Sequence, residues 1–237
     1  MKNKSTVEEI RHRFDNDVDR FSELQTGQSS TVDAPLTLEI ISAGAAASNP
    51  NADHILDVGC GAGNYTLKLL GKLPNIQKID LIDLSLPMLE RATERVGAVS
   101  NAKVTIHQSD MRELNLGENK FDVIMAAATL HHLRTDKEWE MMFRNFYNAL
   151  KPGGSFWVSD LFTHEVSAVQ EILWGKYGDY LTELKDEAYR DHVFDYVGKE
   201  DTPTPLSYQL RMLDKVGFSQ AEILHKNTVF GAYVGIK

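Results

Sequence analysis

Two spacings of apolar residues divide the chain. Near its start, Val7, Ile10, Phe14, Val18 and Phe21 recur at steps of three and four, the signature of one helix face over residues 7–24. The polar stretch "QTGQSSTVDAP", with Gly27 and Pro35, marks a loop before a second helical segment over 36–47. Short apolar runs then alternate with helical stripes. "ILDV" (55–58), "KIDLID", "KVTIH", "FDVIMA" and "SFWVSDLF" predict five strands. Between them fall a helix over 64–72, one that Ser85 can cap with Pro87 in its first turn, and one over 137–150. The last of these carries Trp139, Met142, Phe143, Phe146, Tyr147 and Leu150 on one stripe and is stopped by "KPGG". Strand–helix alternation of this kind predicts a parallel sheet with helices on both faces.

The pattern changes after residue 160. Val166, Val169, Leu173, Tyr177, Tyr180 and Leu184 keep helical spacing through an aromatic-rich insert over 165–197, and a last helix follows over 205–216. "FSQAEILH" and "TVFGAYVGIK" then alternate around Lys226–Asn227, the expected tight turn of an antiparallel pair. The expected fold is α/β: a doubly wound, seven-stranded, mostly parallel sheet with a C-terminal antiparallel hairpin. Its expected parts are an N-terminal helix and loop (1–35), a core (36–160), a helical insert (161–204) and a completion of the core (205–237).

Composition narrows the function classes. With 25 Lys plus Arg against 34 Asp plus Glu, the formal charge is -9, and no Lys/Arg run stands out, so direct nucleic-acid binding is not expected. The single cysteine, Cys60, excludes an intrachain disulfide. No signal-peptide core precedes the first helix and no apolar run reaches membrane-spanning length, so a reducing, cytoplasmic location is expected.

The candidate chemistry begins at "ILDVGCGAGNYT". Gly59, Gly61 and Gly63 are spaced G-x-G-x-G, whereas the dinucleotide fingerprint G-x-G-x-x-G would put its third glycine at Asn64. Asp57 lies inside the strand, two positions before the first glycine. A carboxylate there needs a cation or hydrogen-bond donors, and a pyrophosphate beside it would be repelled. Asp83 closes the second strand about 20 residues beyond Gly63, where an acid can accept both hydroxyls of a ribose in either cofactor class. Asp110 follows the third strand in "QSDM" and could accept an adenine amino group.

These segments, with "LIDLSLPML", "QSDMREL", "FDVIMAAATLHHL", "LKPGGSFWVSD" and "MLDKVGFSQAEIL", resemble in order and spacing the class I S-adenosylmethionine-dependent methyltransferases, whose fold is Rossmann-like. The resemblance covers about residues 36–160 and 205–237. It implies S-adenosyl-L-methionine as cofactor and S-adenosyl-L-homocysteine as product. It assigns Asp57, Gly59, Cys60, Gly61, Gly63 and Asn64 to the methionine end and Asp83 to the ribose. Asp110 and Met111 fall to the adenine, with Leu84 and Met88 packed on the ring, and Ala126 and Ala127 follow the fourth strand beside the methionine. "AAATLHHL" stands where an N-P-P-Y or D-P-P-Y motif would mark methylation of nucleobase amines or protein glutamine, so a small-molecule acceptor is expected. The insert and the closing "DKVGFSQAEIL" to "GIK" are also similar to carboxy-S-adenosylmethionine synthases, which serve transfer-RNA wobble uridine modification and need a cation for an added carboxylate; Arg211 is the candidate here. A cofactor-binding protein without catalysis is the reading from a different class.

For the acceptor side, His131 and Asp160 are the candidate catalytic groups, able to take a proton or to orient an acceptor. His132 either faces the site or packs against a helix. Phe14 and Phe21 belong to a lid over the site or to a helix docked on the sheet edge. Trp174 and Tyr177 line an acceptor pocket or form the core of the insert. The histidines are scattered and the cysteine is alone, so no metal site is expected. Cys60, inside a tight loop, suits a space-filler better than a nucleophile. A small-molecule acceptor is the expected partner, a homodimer is left open, and no membrane is expected.

Overall fold

The computed structural model describes residues 4–23 and 28–237. The expectations at Leu24 and Gly27 lie outside the described residues. In chain order the elements are α1 (Val7–Asp15), α2 (Val18–Ser22), α3 (Ala34–Ser48), β1 (His54–Val58), α4 (Asn64–Leu70), β2 (Lys78–Asp83), α5 (Leu86–Gly97), β3 (Lys103–Gln108), β4 (Phe121–Ala127), α6 (Asp136–Ala149), β5 (Leu150–Leu161), α7 (Ser167–Leu184), α8 (Glu187–Glu200), α9 (Leu206–Val216), β6 (Gln220–Asn227) and β7 (Phe230–Ile236).

The strands form one seven-stranded sheet in the order β3-β2-β1-β4-β5-β7-β6. The first five are parallel, and β7 runs antiparallel to both β5 and β6. Period-two alternation divides their side chains between two cores. Leu56, Ile124, Phe156 and Val158 join α6 and α9 through Trp139, Phe143, Phe146 and Leu213. Ile55, Val123, Met125 and Trp157 join α3, α4 and α5 through Leu38, Ile41, Leu69 and Leu89. A third, smaller core unites Tyr177, Leu181, Val193 and Val197 of the insert with Val32, Leu161 and Val229.

The structure corrects or refines the expectations at four points. The single N-terminal helix is two. The Asn16 side-chain amide donates back to the His12 carbonyl at 2.7 Å, a local bond that competes with helix continuation. The insert is likewise two helices, because Asp186 caps a new one by accepting from the Tyr189 N–H at 2.7 Å. α6 ends at Ala149, just before "KPGG", but β5 starts already at Leu150, ahead of the expected "SFWVSDLF", with a register shift against β4 between Phe121 and Val123. The hairpin turn falls at Thr228–Val229, since Asn227 pairs with Phe230. Burial decides this: Val229 is fully buried in the insert's core and its carbonyl accepts from Phe162 N–H at 2.7 Å.

The order reverses between β1 and β4, and the carboxyl ends of these strands open the crevice where α/β sheets bind ligands. No helix among the described residues is long and apolar enough to cross a membrane.

The packing of α3 on β5 is tight at one point. A Cβ on Gly44 would lie 2.6 Å from the Trp157 ring, whose Nε1 donates to Ser155 Oγ at 2.6 Å. Gly44→Ala is expected to cost about 1–3 kcal/mol of stability by overpacking, read as a lowered urea midpoint with an unchanged slope. An unchanged midpoint would show that the ring yields freely.

Candidate active site

All three glycines of the loop after β1 take positive φ: Gly59 +65, Gly61 +49 and Gly63 +81. At Gly59 there is also no room, since a Cβ would meet Thr129 Oγ1 at 2.3 Å. The loop can therefore press against the exit of β4, which is what brings β1 and β4 to one site. At that exit Ala128 has φ +52, a strained value for a residue with a side chain, and its N–H donates to Ser159 O at 2.7 Å.

Asp57 is 1% exposed, and the Thr66 hydroxyl donates to its Oδ2 at 2.6 Å. Burial pushes its carboxyl up to about 7, against the pull of the Thr66 donors. Asp83 joins two turns: Oδ2 accepts from Gly61 N–H at 2.8 Å and Oδ1 from Ser85 N–H at 2.9 Å. Burial raises its carboxyl, and these backbone donors oppose the rise. Asp110 is gripped by Arg112, which donates from Nε to Oδ1 at 2.9 Å and from Nη2 to Oδ2 at 2.5 Å. Burial works to raise the Asp110 carboxyl, but the Arg112 donors outweigh it and hold it below the usual range.

These groups surround one cavity of about 1070 Å³. Asp57, Gly59, Cys60, Gly61, Asn64, Asp83, Leu84, Met88, Asp110, Met111 and Ala127 all line it, as do Phe14, Phe21 and His132. Two expected members do not. Gly63 caps α4 and faces Ala92, and Ala126 is fully buried in the sheet core. Cys60 is buried and its thiol is raised well above its ordinary value by burial and then by the Asp83 and Asp57 charges, which suits the space-filling role.

A second cavity, of about 780 Å³, shares Phe14, Phe21, Gln28 and Ala128 with the first. His131, Asp160 and Tyr177 line it, together with Arg13, Tyr196 and Asp201. Here the expected base roles are corrected. Asp160 is consumed by its neighbours: His131 Nδ1 lies 2.5 Å from Oδ1, Leu161 N–H donates to Oδ1 at 2.7 Å, and His131 N–H donates to Oδ2 at 3.1 Å. Burial would lower the His131 imidazole, but Asp201 and Asp160 prevail and hold it up at about 9, so it is cationic near neutrality. His131 is thus a donor and a charge. His132 stays neutral, lowered by burial, then by His131 and Arg13.

Trp174 lines neither cavity; it packs on Tyr177 and Phe194 in the insert. Arg211 pairs with Glu165 at 2.6 Å on the surface, away from both cavities, so it is not the cation the synthase likeness called for. Among the described residues, the arginines that reach the cavities are Arg112 and Arg134 in the first, Arg13 and Arg20 in the second. Arg112 follows Asp110 closely enough to have been noticed. Arg13 and Asp201 carried no sequence signal, because α1 and the end of α8 meet the site only through tertiary contacts. One such contact is Arg13 on Glu200, Nη2 to Oε2 at 2.6 Å and Nε to Oε1 at 2.9 Å.

Residues 55–154 match the family model described as a methyltransferase domain. The chain is 27% identical to a carboxy-S-adenosyl-L-methionine synthase of Nautilia profundicola, over 78% of this chain and 77% of that protein. It is 36% identical to a malonyl-[acyl-carrier protein] O-methyltransferase of Ilyobacter polytropus, over 43% and 35% respectively. The fold matches human N-acetylserotonin methyltransferase in complex with SAM with a TM-score of 0.62, at 18% identity over 98% of this chain and 61% of that one. The chain spans about three fifths of the length of several solved structures it matches.

Thr66 supplies the hydroxyl that satisfies a buried carboxylate, so Thr66→Val should lower stability by about 1–3 kcal/mol. Chemical denaturation checks this; a loss within error would mean that Asp57 is satisfied without the hydroxyl.

Proposed function

We propose that the chain is a class I S-adenosylmethionine-dependent methyltransferase and that it transfers a methyl group from that cofactor to a small-molecule acceptor held in the second cavity. The observation that carries this reading is the junction of the cavities at Phe14, Phe21, Gln28 and Ala128. One cavity is fitted for the donor, and the other meets it at the strained exit of β4.

The donor cavity fits its group on three counts. Asp57 is a buried carboxylate whose only hydrogen-bond donors among the described residues are on Thr66, so it suits an ammonium or sulfonium. Asp83 already spends one lone pair of each oxygen on a backbone N–H and keeps others for the two ribose hydroxyls. Asp110, kept ionised by Arg112, accepts the adenine amino group, with Met111, Leu84 and Met88 around the ring. Ala127 and Ala128 flank the methionine end, with the Gly59–Gly61 loop opposite. Bound there, S-adenosylmethionine supplies an electrophilic methyl on a sulfonium.

The chain's own contribution is alignment and exclusion of water. Phe14 and Phe21, on α1 and α2, cover both cavities. Asn64 Nδ2 on the Phe21 carbonyl (2.9 Å) and Arg91 on Ser22 and Asp19 (2.9 Å each) tie this cover to the core. The insert closes the acceptor side through Tyr177 and Tyr196. Cationic His131, fixed by Asp160, orients an acceptor oxygen by donating to it.

A second reading is favoured by the similarity to carboxy-S-adenosyl-L-methionine synthases along most of the chain. In it the first cavity holds a carboxylated sulfonium whose carboxylate would reach into the second cavity, where Arg13 or Arg20 takes the place of Arg211 as the cation. Mass spectrometry of the co-purified ligand separates the two readings by the mass of the added carboxyl.

Calorimetry should show binding of S-adenosylmethionine and S-adenosylhomocysteine and none of NAD; the reverse would sink the donor assignment. Asp83→Asn should weaken the donor by about 10-fold or more, close to 1.4 kcal/mol per factor of ten. Unchanged affinity would remove its ribose role. Formation of S-adenosylhomocysteine in an acceptor screen distinguishes an enzyme from a binding protein.

Affinity should also follow the Asp57 proton. Its carboxyl, raised to about 7, must ionise to pair with a cationic donor. Donor affinity is therefore expected to rise from about pH 6 to about pH 8 and then level off. Asp57→Asn should abolish this slope; a slope that survives would place the titrating group elsewhere.

A further inference from the structure

We propose that His131, His132 and Asp201 form a binding site for a divalent transition-metal ion, with zinc as its probe, in the wall between the two cavities. Nε2 of His131 and Nδ1 of His132 lie 3.6 and 3.5 Å from Oδ1 of Asp201, and the three ligand atoms lie within 4.8 Å of one another. A tetrahedral zinc ion with bonds of about 2.0–2.1 Å sets its ligand atoms roughly 3.3–3.4 Å apart. The two nitrogen–oxygen separations are within a few tenths of an ångström of this spacing, and the two nitrogens, within 4.8 Å of each other, would close on the ion by rotation of the imidazoles.

The surroundings are those of a ligand cluster. His131 turns its other nitrogen, Nδ1, to Asp160 Oδ1 at 2.5 Å, the carboxylate–histidine pairing that fixes the ring of a metal ligand and points Nε2 outward. Nδ1 of His132 is buried and makes no hydrogen bond among the described residues. An orphaned acceptor in the interior calls for a partner, and a metal ion supplies one. Asp201 is held in place because the next residue, Thr202, donates its N–H to the His131 carbonyl at 2.6 Å. Its side chain is 5% exposed, and with Asp160 it sets two carboxylates against the imidazoles. The protonated His131 is the metal-free state: zinc would displace the proton on Nε2, and the metal-free state leaves Nδ1 of His132 without a partner among the described residues.

Three protein ligands leave a coordination position open. His131 and Asp201 line the second cavity and His132 the first, so the open position lies where an acceptor would meet the donor. An acceptor hydroxyl bound there loses its proton to water more readily, and its oxygen then takes the methyl group. That role rests on the methyl-transfer reading; the binding of the ion does not.

The test is calorimetry of the full chain, freed of metal by chelator dialysis, with Zn²⁺ alone, followed by the visible spectrum with Co²⁺. One equivalent is expected, with ligand-field bands typical of low-coordinate cobalt. His132→Gln and Asp201→Asn should each weaken Zn²⁺ by at least about 10-fold, circular dichroism confirming that both are folded. His164→Gln, outside the cluster, should bind as wild type does. No binding by the wild type, or equal binding by both cluster variants, would overturn the proposal, as would loss in His164→Gln. A parallel titration with S-adenosylmethionine keeps the two readings apart: Zn²⁺ binding without donor binding sinks the methyl-transfer reading alone.

Discussion

The carboxylate of Asp83 holds the site together. One oxygen takes the Gly61 N–H of the loop after β1, and the other takes the Ser85 N–H at the start of α5. Two neighbouring parallel strands thus leave the sheet with their exits tied to each other. The glycine loop can then turn back against Thr129 at the end of β4, a contact with no space for a Cβ at Gly59. Without this clamp the loop could follow many paths, and Asp57 beneath it would be a buried carboxylate with no reason to stay buried.

The same clamp divides the labour around the crevice. Acids arriving from β1, β2 and the segment after β3 face one cavity, each with its charge managed differently. Asp57 is held up by burial, Asp83 is shared with backbone donors, and Asp110 is kept ionised by Arg112. The second cavity draws on later chain, the end of β5, the insert and His131, together with residues of α1 and α2. α1 bridges the two, because Phe14 touches His132 edge-on with ring centroids 6.3 Å apart while neighbouring Arg13 pairs with Glu200 at the end of α8. The surfaces that would meet donor and acceptor are therefore mechanically joined although far apart in sequence.

Much of this was legible in the order of residues. The apolar periods set the alternation of strands and helices, since a strand buried on both faces and a helix buried on one leave different repeats. The five parallel strands, the antiparallel pair and the cavity positions of Asp57, Asp83 and Asp110 follow from motifs that lie beside strand ends. Local bonding was less legible. Asn16 and Asp186 break helices that the apolar stripe alone would continue, and the burial of Val229 moves the hairpin turn by two residues.

By itself, the sequence determined the class of the fold and most of the expected residues that line the first cavity, because each lies within a few positions of the strand end that carries it. Tertiary structure alone decided the second cavity. Whether His131 is a base or a cation depends on Asp160 and Asp201, brought to it from β5 and from beyond α8. Whether Tyr177 or Trp174 faces a cavity depends on how α7 packs on α8, and Arg211 falls outside because α9 presents it to Glu165 at the surface. Charge state and exposure are properties of neighbours in space, and for these residues the deciding neighbours come from distant parts of the chain.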